Sequence, residues 1–182
     1  MGNPGERYRE TRHNLGFRVI ERLCAGRGVA LAGDVCHSRS AAAGEALFCA
    51  PQTYMNRSGF AVRCFAESFA LPAERILVVC DDVALPLGRL RLRPRGGAGG
   101  HRGLESILEN LRSEEFPRLR LGVGLPAADQ PGIDLADWVL GAFTREEGPA
   151  VEQAVVRAAE ACEAWLATTP AEIDRVMTRF NT

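Results

Sequence analysis

The sequence of 182 residues contains no lysine; all 22 of its basic residues are arginine. That absence excludes a Walker-type phosphate loop, a lysine Schiff base and a Ser-Lys dyad, each of which needs an ε-amino group. Codon usage in a GC-rich genome produces the same bias, so the arginines need not share one task. Long apolar runs are missing too. The longest aliphatic stretch, 76–80, is far short of the roughly 20 apolar residues of a spanning helix. The opening Met1-Gly2-Asn3-Pro4-Gly5-Glu6 has neither the basic nor the apolar segment of a secretory signal, and Glu6 stands where N-myristoylation wants Ser or Thr. No membrane partner is expected, and a cytoplasmic location is. The six cysteines form no C-x-x-C pair and four of them lie in apolar segments, so reduced, buried thiols are expected rather than a disulfide framework or a zinc site. Net charge is only −1, so no global positive field advertises a nucleic-acid partner.

What is present is an alternation of helical and extended patterns. Leu15, Val19, Ile20 and Leu23 share one face of a helix over 14–25, closed by Gly26 and Gly28. A short strand is expected at 46–50 and a helix over 57–70, carried by Phe60, Cys64, Phe65 and Phe69. The β-branched run from Ile76 to Val79 ends in Asp81-Asp82 and reads as a buried strand with an exposed polar end. Residues 89–95 alternate Arg-Leu-Arg-Leu-Arg-Pro-Arg with the period of a strand. A glycine-rich loop over 96–100, a helix over 102–112, a strand at 119–123, a loop over 125–135 and helices over 147–166 and about 170–179 complete the chain. This order predicts an α/β fold: one three-layer domain over 1–182, with a mixed, mostly parallel central sheet and helices on both faces.

Three histidines are available for chemistry. His37 lies among Ser38, Arg39 and Ser40 and reads as a solvated surface residue. His13 sits in a charged loop before a helix, with no apolar face to fill, which favours a general-base role. His101 follows the glycine loop, so it either faces a ligand or bonds to its own loop at a helix N-terminus. A carboxylate at a strand end, Asp81, suits the task of orienting one nitrogen of His13. With no activated serine or cysteine in evidence, water is the natural nucleophile, and Asn3, Asn14 and Asn56 are candidate amide donors to an oxyanion. Nucleotide fingerprints fail. The stretch 122–127 matches G-x-G-x-x-A, but a Pro/Asp loop follows it instead of a helix. Arg89, Arg91, Arg93 and Arg95 lie about 6.6 Å apart on one strand face, a spacing that suits backbone phosphates and equally suits the solvated edge of a sheet. The residues alone point to a hydrolase without metal or cofactor, acting on an acyl bond of a phosphate-bearing substrate.

Six ordered motifs add a resemblance. Gly2-Asn3-Pro4-Gly5-x-x-Tyr8-x-x-Thr11-Arg12-His13-Asn14-x-Gly16 resembles the opening motif of bacterial peptidyl-tRNA hydrolases, and Thr53-Tyr54-Met55-Asn56-x-Ser58-Gly59 resembles their second. Asp81-Asp82-x-x-Leu85-Pro86-x-Gly88, Gly99-Gly100-His101-x-Gly103-Leu104, Leu119-Arg120-x-Gly122-x-Gly124 and Trp138-Val139-Leu140-Gly141-x-Phe143 continue the match over nearly the whole chain. The resemblance implies hydrolysis of the ester between a peptide and the 3′ ribose of tRNA. In it His13 takes a proton from water, Asp81 holds His13, and Asn3 selects N-acylated substrates. Tyr8, Tyr54, Met55 and Asn56 line the cleft, His101 and Arg102 stand at substrate-contacting positions, and Arg93 and Arg120 clamp tRNA phosphate. It implies tRNA as the partner, a monomer, and neither cofactor nor metal.

The chain departs from the family pattern at Cys80, where histidine is usual, at Ala84, where aspartate is frequent, and at Arg102, where asparagine is common. Arginine has no acceptor, so a contact through an amide oxygen is lost at position 102. Family members also run an aliphatic strand into Gly-Asn-Pro-Gly, and a first strand ahead of residue 1 is therefore expected to be missing here. Two other readings are a non-catalytic RNA-binding relative on the same scaffold and a hydrolase of another ester or amide.

Overall fold

In the computed structural model, which describes residues 1–126 and 132–181, the expected elements form close to their expected positions. Helix α1 (Leu15–Gly26) buries Leu15, Val19 and Leu23, spaced by four residues on one face. A three-stranded antiparallel sheet follows: β1 (Gly33–Val35), β2 (Ser38–Ala43) and β3 (Ala46–Pro51). Only β3 carries an apolar, strand-like pattern; β2 reads Ser-Arg-Ser-Ala-Ala-Ala and is extended because β3 pairs with it along its whole length. After α2 (Ser58–Ser68) come β4 (Val78–Asp82), β5 (Leu90–Arg93), α3 (Arg102–Leu111) and β6 (Arg118–Gly122). The chain closes with α4 (Leu135–Leu140), α5 (Gly148–Leu166) and α6 (Ile173–Phe180). The loop expected over 125–135 includes residues 127–131, which lie outside the described residues.

The second sheet runs in the order β4-β6-β5, with β4 parallel to β6 and β5 antiparallel to it. Strand β4 and most of β6 are buried on both faces. Val79, Leu119, Leu121, Leu90 and Leu92 pack against α1, α5 and α6, while Val78 and Cys80 pack with Leu104 and Ile107 of α3 and with Phe116. That two-sided burial explains why β4 reads as a continuous apolar run. In β5 the alternation is as expected, with Leu90 and Leu92 buried and Arg91 and Arg93 exposed.

Two expectations are corrected. Instead of one mostly parallel sheet, the described residues form two three-stranded sheets in which β4 and β6 are the sole parallel pair. Among the described residues the edges of β3 and β4 turned away from their sheets carry no strand, and they border a common apolar cavity of about 160 Å³, lined among others by Phe48, Phe65, Val79 and Trp165. The amino group of Met1 donates to Val79 O at 2.5 Å at this cavity. The second correction concerns the thiols. Cys36 and Cys64 form a disulfide, Cα to Cα 5.5 Å, tying the β1–β2 turn to α2 across 28 residues. Closing a loop of that length is worth roughly 3–4 kcal/mol in the chain-entropy account. No sequence spacing announces such a pair, because it is the register of the hairpin against α2 that brings the two residues together. The other four cysteines are free, and burial pushes the thiols of Cys49, Cys80 and Cys162 up to about 12, leaving them unreactive.

Candidate active site

A cleft of about 490 Å³ lies at the C-terminal end of β4, where the strand delivers Asp81 and Asp82. His13 enters on a short turn, Arg12–Asn14, that runs straight into α1. The approach depends on Gly16. A Cβ there would stand 2.0 Å from Met1 N and 2.4 Å from Val79 O, so only glycine lets the start of α1 settle on β4.

His13 Nδ1 lies 2.9 and 3.0 Å from the two carboxylate oxygens of Asp81. His101 Nε2 lies 3.2 Å from Asp81 Oδ1. Burial alone would raise the Asp81 carboxyl, but the hydrogen bonds and charge of His101 and His13 outweigh it and carry Asp81 well below its ordinary range. An ionised carboxylate only accepts, so the proton of His13 is on Nδ1 and its Nε2 presents a free lone pair. That is the nitrogen available as a base.

His101 lines the cleft and also takes the helix N-terminal role that the sequence offered for it. It is the N-cap of α3, its Nδ1 accepting from Gly103 N at 3.1 Å and Leu104 N at 3.3 Å. With Nδ1 committed as an acceptor, the ring's proton is on Nε2 and points at Asp81. His13, Asp81 and His101 converge closely enough to resemble a metal-binding triad. However, His101 can offer Nε2 to a cation only by protonating Nδ1 and surrendering the helix cap. The pattern is two imidazole N–H donors converging on one ionised carboxylate.

The amides divide sharply. Asn3 lines the cleft, and its Oδ1 accepts from Met55 N at 2.8 Å, which leaves Nδ2 as the group it can offer a ligand. Asn14 is spent on structure: its side chain accepts from Asn3 N and donates to Asn3 O, so it is no oxyanion donor. Asn56 is exposed on the cleft wall with Tyr54. Met55 contributes to the floor but is buried in the core beside α3. Tyr8 does not line the cleft; it supports Tyr54 edge-on, ring centroids 6.5 Å apart. The opposite wall comes from Asp134, Leu135, Ala136, Val139 and Leu140, on a helix the sequence pattern did not announce.

Arginines lead out of the cleft. Arg102 and Arg120 line it. Arg120 Nε stands 3.0 Å from Asp82 Oδ2, close as an ion pair but not aligned as a hydrogen bond. In the β5–β6 register Arg91 is opposite Arg120 and Arg93 opposite Arg118, so all four share one face of the sheet. Arg91 and Arg93 are exposed and make no ion pair among the described residues, whereas Arg95 pairs with Glu115. His37 lies in an exposed turn outside the cleft. Sequence reasoning missed Arg12, Asp82 and Arg118 as buried charges. Their one signal was membership of, or adjacency to, dense motifs.

Comparison with known proteins agrees with this geometry. The sequence pattern of the family described as "Peptidyl-tRNA hydrolase" matches residues 1–182. The chain is similar to the peptidyl-tRNA hydrolase of Geobacillus kaustophilus (strain HTA426), at 42% identity over 185 residues spanning 100% of this chain and 96% of that protein. It is similar also to that of Bacillus subtilis (strain 168), at 39% over 100% and 95%. The crystal structure of peptidyl-tRNA hydrolase from Acinetobacter baumannii superposes with a TM-score of 0.88 at 31% identity, over 100% of this chain and 91% of that one. With its whole length matched in sequence and fold, the chain belongs to the peptidyl-tRNA hydrolase family.

Proposed function

We propose that this chain hydrolyses the ester between a peptide, or any N-acyl-aminoacyl group, and the 3′ ribose of tRNA. The observation that carries the reading is the His13–Asp81 pair, which lines the cleft together with Asn3, Tyr54 and Asn56, His13 Nε2 making no hydrogen bond among the described residues. Water held at Nε2 loses a proton to His13 as its oxygen attacks the ester carbonyl. Asp81, ionised, stabilises the imidazolium through Nδ1. Nδ2 donors of Asn3 and Asn56 meet the oxyanion or the acyl amide, preferring a blocked amino terminus to a free ammonium. Collapse of the tetrahedral intermediate expels the ribose oxygen, which takes the proton back from His13. The products are a peptide carboxylate and tRNA with a free 3′ end.

Arg102, Arg120, Arg91 and Arg93 supply the phosphate contacts that select tRNA over a bare ester. The protein then acts as a cytoplasmic monomer, recycling peptidyl-tRNA from interrupted translation. Among the described residues no helix is long and apolar enough to cross a membrane. The test is hydrolysis of N-acyl-aminoacyl-tRNA by wild type and His13→Ala. Turnover should fall by roughly 10²-fold or more with tRNA affinity nearly unchanged. Tight tRNA binding by a wild-type protein with no esterase activity at any pH sinks the proposal in favour of a non-catalytic RNA binder.

A further inference from the structure

We propose that Arg118 is a positioning residue for this hydrolytic site, acting through the glycine loop 96–100 on His101. The proposal rests on the reading of His13–Asp81 as the catalytic pair. Arg118 is 2% exposed, so it cannot reach a substrate phosphate as Arg91 or Arg93 can. Among the described residues it has no carboxylate partner. Its guanidinium lies 4.2 Å from the centroid of the Phe116 ring and is satisfied by backbone carbonyls alone. Nη1 donates to Gly96 O and, at 2.9 Å, to Gly97 O. Nη2 donates to Glu114 O and Phe116 O, both at 3.3 Å, and Nε reaches Phe116 O at 3.4 Å.

A cation buried without a counter-ion is costly, and burial lowers its pKa. What the arrangement accomplishes is a bridge. One side of the guanidinium holds the turn before β6, and the other holds the start of the glycine loop. Otherwise the loop is held by two backbone hydrogen bonds, Gly96 N to Glu114 O at 3.4 Å and His101 N to Ala98 O at 3.2 Å, and by Ala98 packing on the core beside Phe116. Gly96, Gly99 and Gly100 take φ of +142°, +58° and +78°, and no other side chain among the described residues hydrogen-bonds the backbone of 96–100. The loop ends at His101, whose cap and Nε2 contact with Asp81 require the ring at one place, and at Arg102, which lines the cleft. Arg118 therefore anchors the near end of a segment whose far end bonds the catalytic carboxylate. Planarity matters, because a lysine ammonium cannot serve carbonyls on two sides of a fork at once.

The experiment is a double-mutant cycle of Arg118→Lys and His101→Ala, with kcat read on N-acyl-aminoacyl-tRNA and on a small N-acyl-aminoacyl adenosine ester lacking the tRNA phosphates. Arg118→Lys should lower kcat by about 10- to 100-fold, the range an ångström-scale misplacement produces, and equally on both substrates. In the His101→Ala background the same substitution should add little. Loss confined to the tRNA substrate would make Arg118 a phosphate contact, and full additivity with His101→Ala would make its effect general instability; either overturns the proposal. Unchanged kcat in a folded Arg118→Lys variant overturns it as well. Inactive wild type would instead refute the underlying hydrolase reading. Should Arg118→Lys fail to fold, NMR of the wild type decides: the Arg118 guanidinium protons must exchange slowly and separately from those of the solvated arginines, and rapid exchange refutes the latch.

Discussion

The carboxylate of Glu147 reaches across 135 residues to bind both ways to the guanidinium of Arg12, Nη2 lying 3.0 and 2.8 Å from its two oxygens. Arg12 also donates to Ala142 O, and its guanidinium lies 3.7 Å from the centroid of a Trp138 ring and 4.9 Å from that of Phe143. This one side chain thus ties the turn carrying His13 to the segment carrying the cleft-lining helix α4. Glu147→Ala leaves a buried cation without its partner, a loss expected to cost about 3 kcal/mol or more. Denaturant titration measures it. Turnover should fall more than this stability loss explains, because His13 is the next residue; full activity in the folded variant would show that Arg12 is a staple with no hold on the site.

Asp81 gives the protein an acid-labile component of stability. Its folded-state pKa lies below the unfolded value of about 3.9, because the donors from His101 and His13 overcome the burial that would raise it. The unfolded chain therefore binds more protons in acid. The stabilisation is complete above about pH 4 and drains away as pH falls further. Asp81→Asn should be less stable than wild type at neutral pH, with the gap closing below pH 4. A gap independent of pH contradicts the assignment. The same substitution should depress turnover, since the imidazolium loses its carboxylate.

Arg93 tests the phosphate track. Each neutralised phosphate contributes to the salt dependence of nucleic-acid binding, so Arg93→Ala should weaken tRNA affinity and flatten its slope against log salt by about one unit or less. Hydrolysis of an ester without tRNA phosphates should hardly change. Equal damage to both substrates would assign the β5 arginines to the solvated edge of the sheet instead.

The apolar slot between β3 and β4 has a direct test. Among the described residues no strand pairs with either of its edges, and the amino group of Met1 already bonds Val79 O beside it. An alternating aliphatic segment of about seven residues, a normal strand length, joined ahead of Met1 should pair there and raise the melting temperature clearly. An unchanged melting temperature would mean that the slot does not accept a strand.

The sequence by itself determined which segments are helices and strands wherever burial follows one period, as in α1, β5 and the buried β4. It also determined the chemical inventory: a histidine free of apolar surroundings, a carboxylate at a strand end, amide side chains and an arginine stripe. It could not show β2, whose alanines and serines have no intrinsic preference for a strand, nor α4, which is short. Nor could it show the disulfide, since contact between Cys36 and Cys64 arises only when the hairpin lies on α2. The functional assignments divide along the same line. His13 and Asp81 were named from local character, but the bond of His101 to Asp81 was not legible, because a tautomer depends on which groups face each ring nitrogen. Asn14 passed from candidate donor to internal brace, and the burial of Arg118 against backbone carbonyls stayed hidden, for the same reason. Residue types and spacing set what each side chain can do. Only the packing of distant segments decides which of its donors and acceptors remain free to do it.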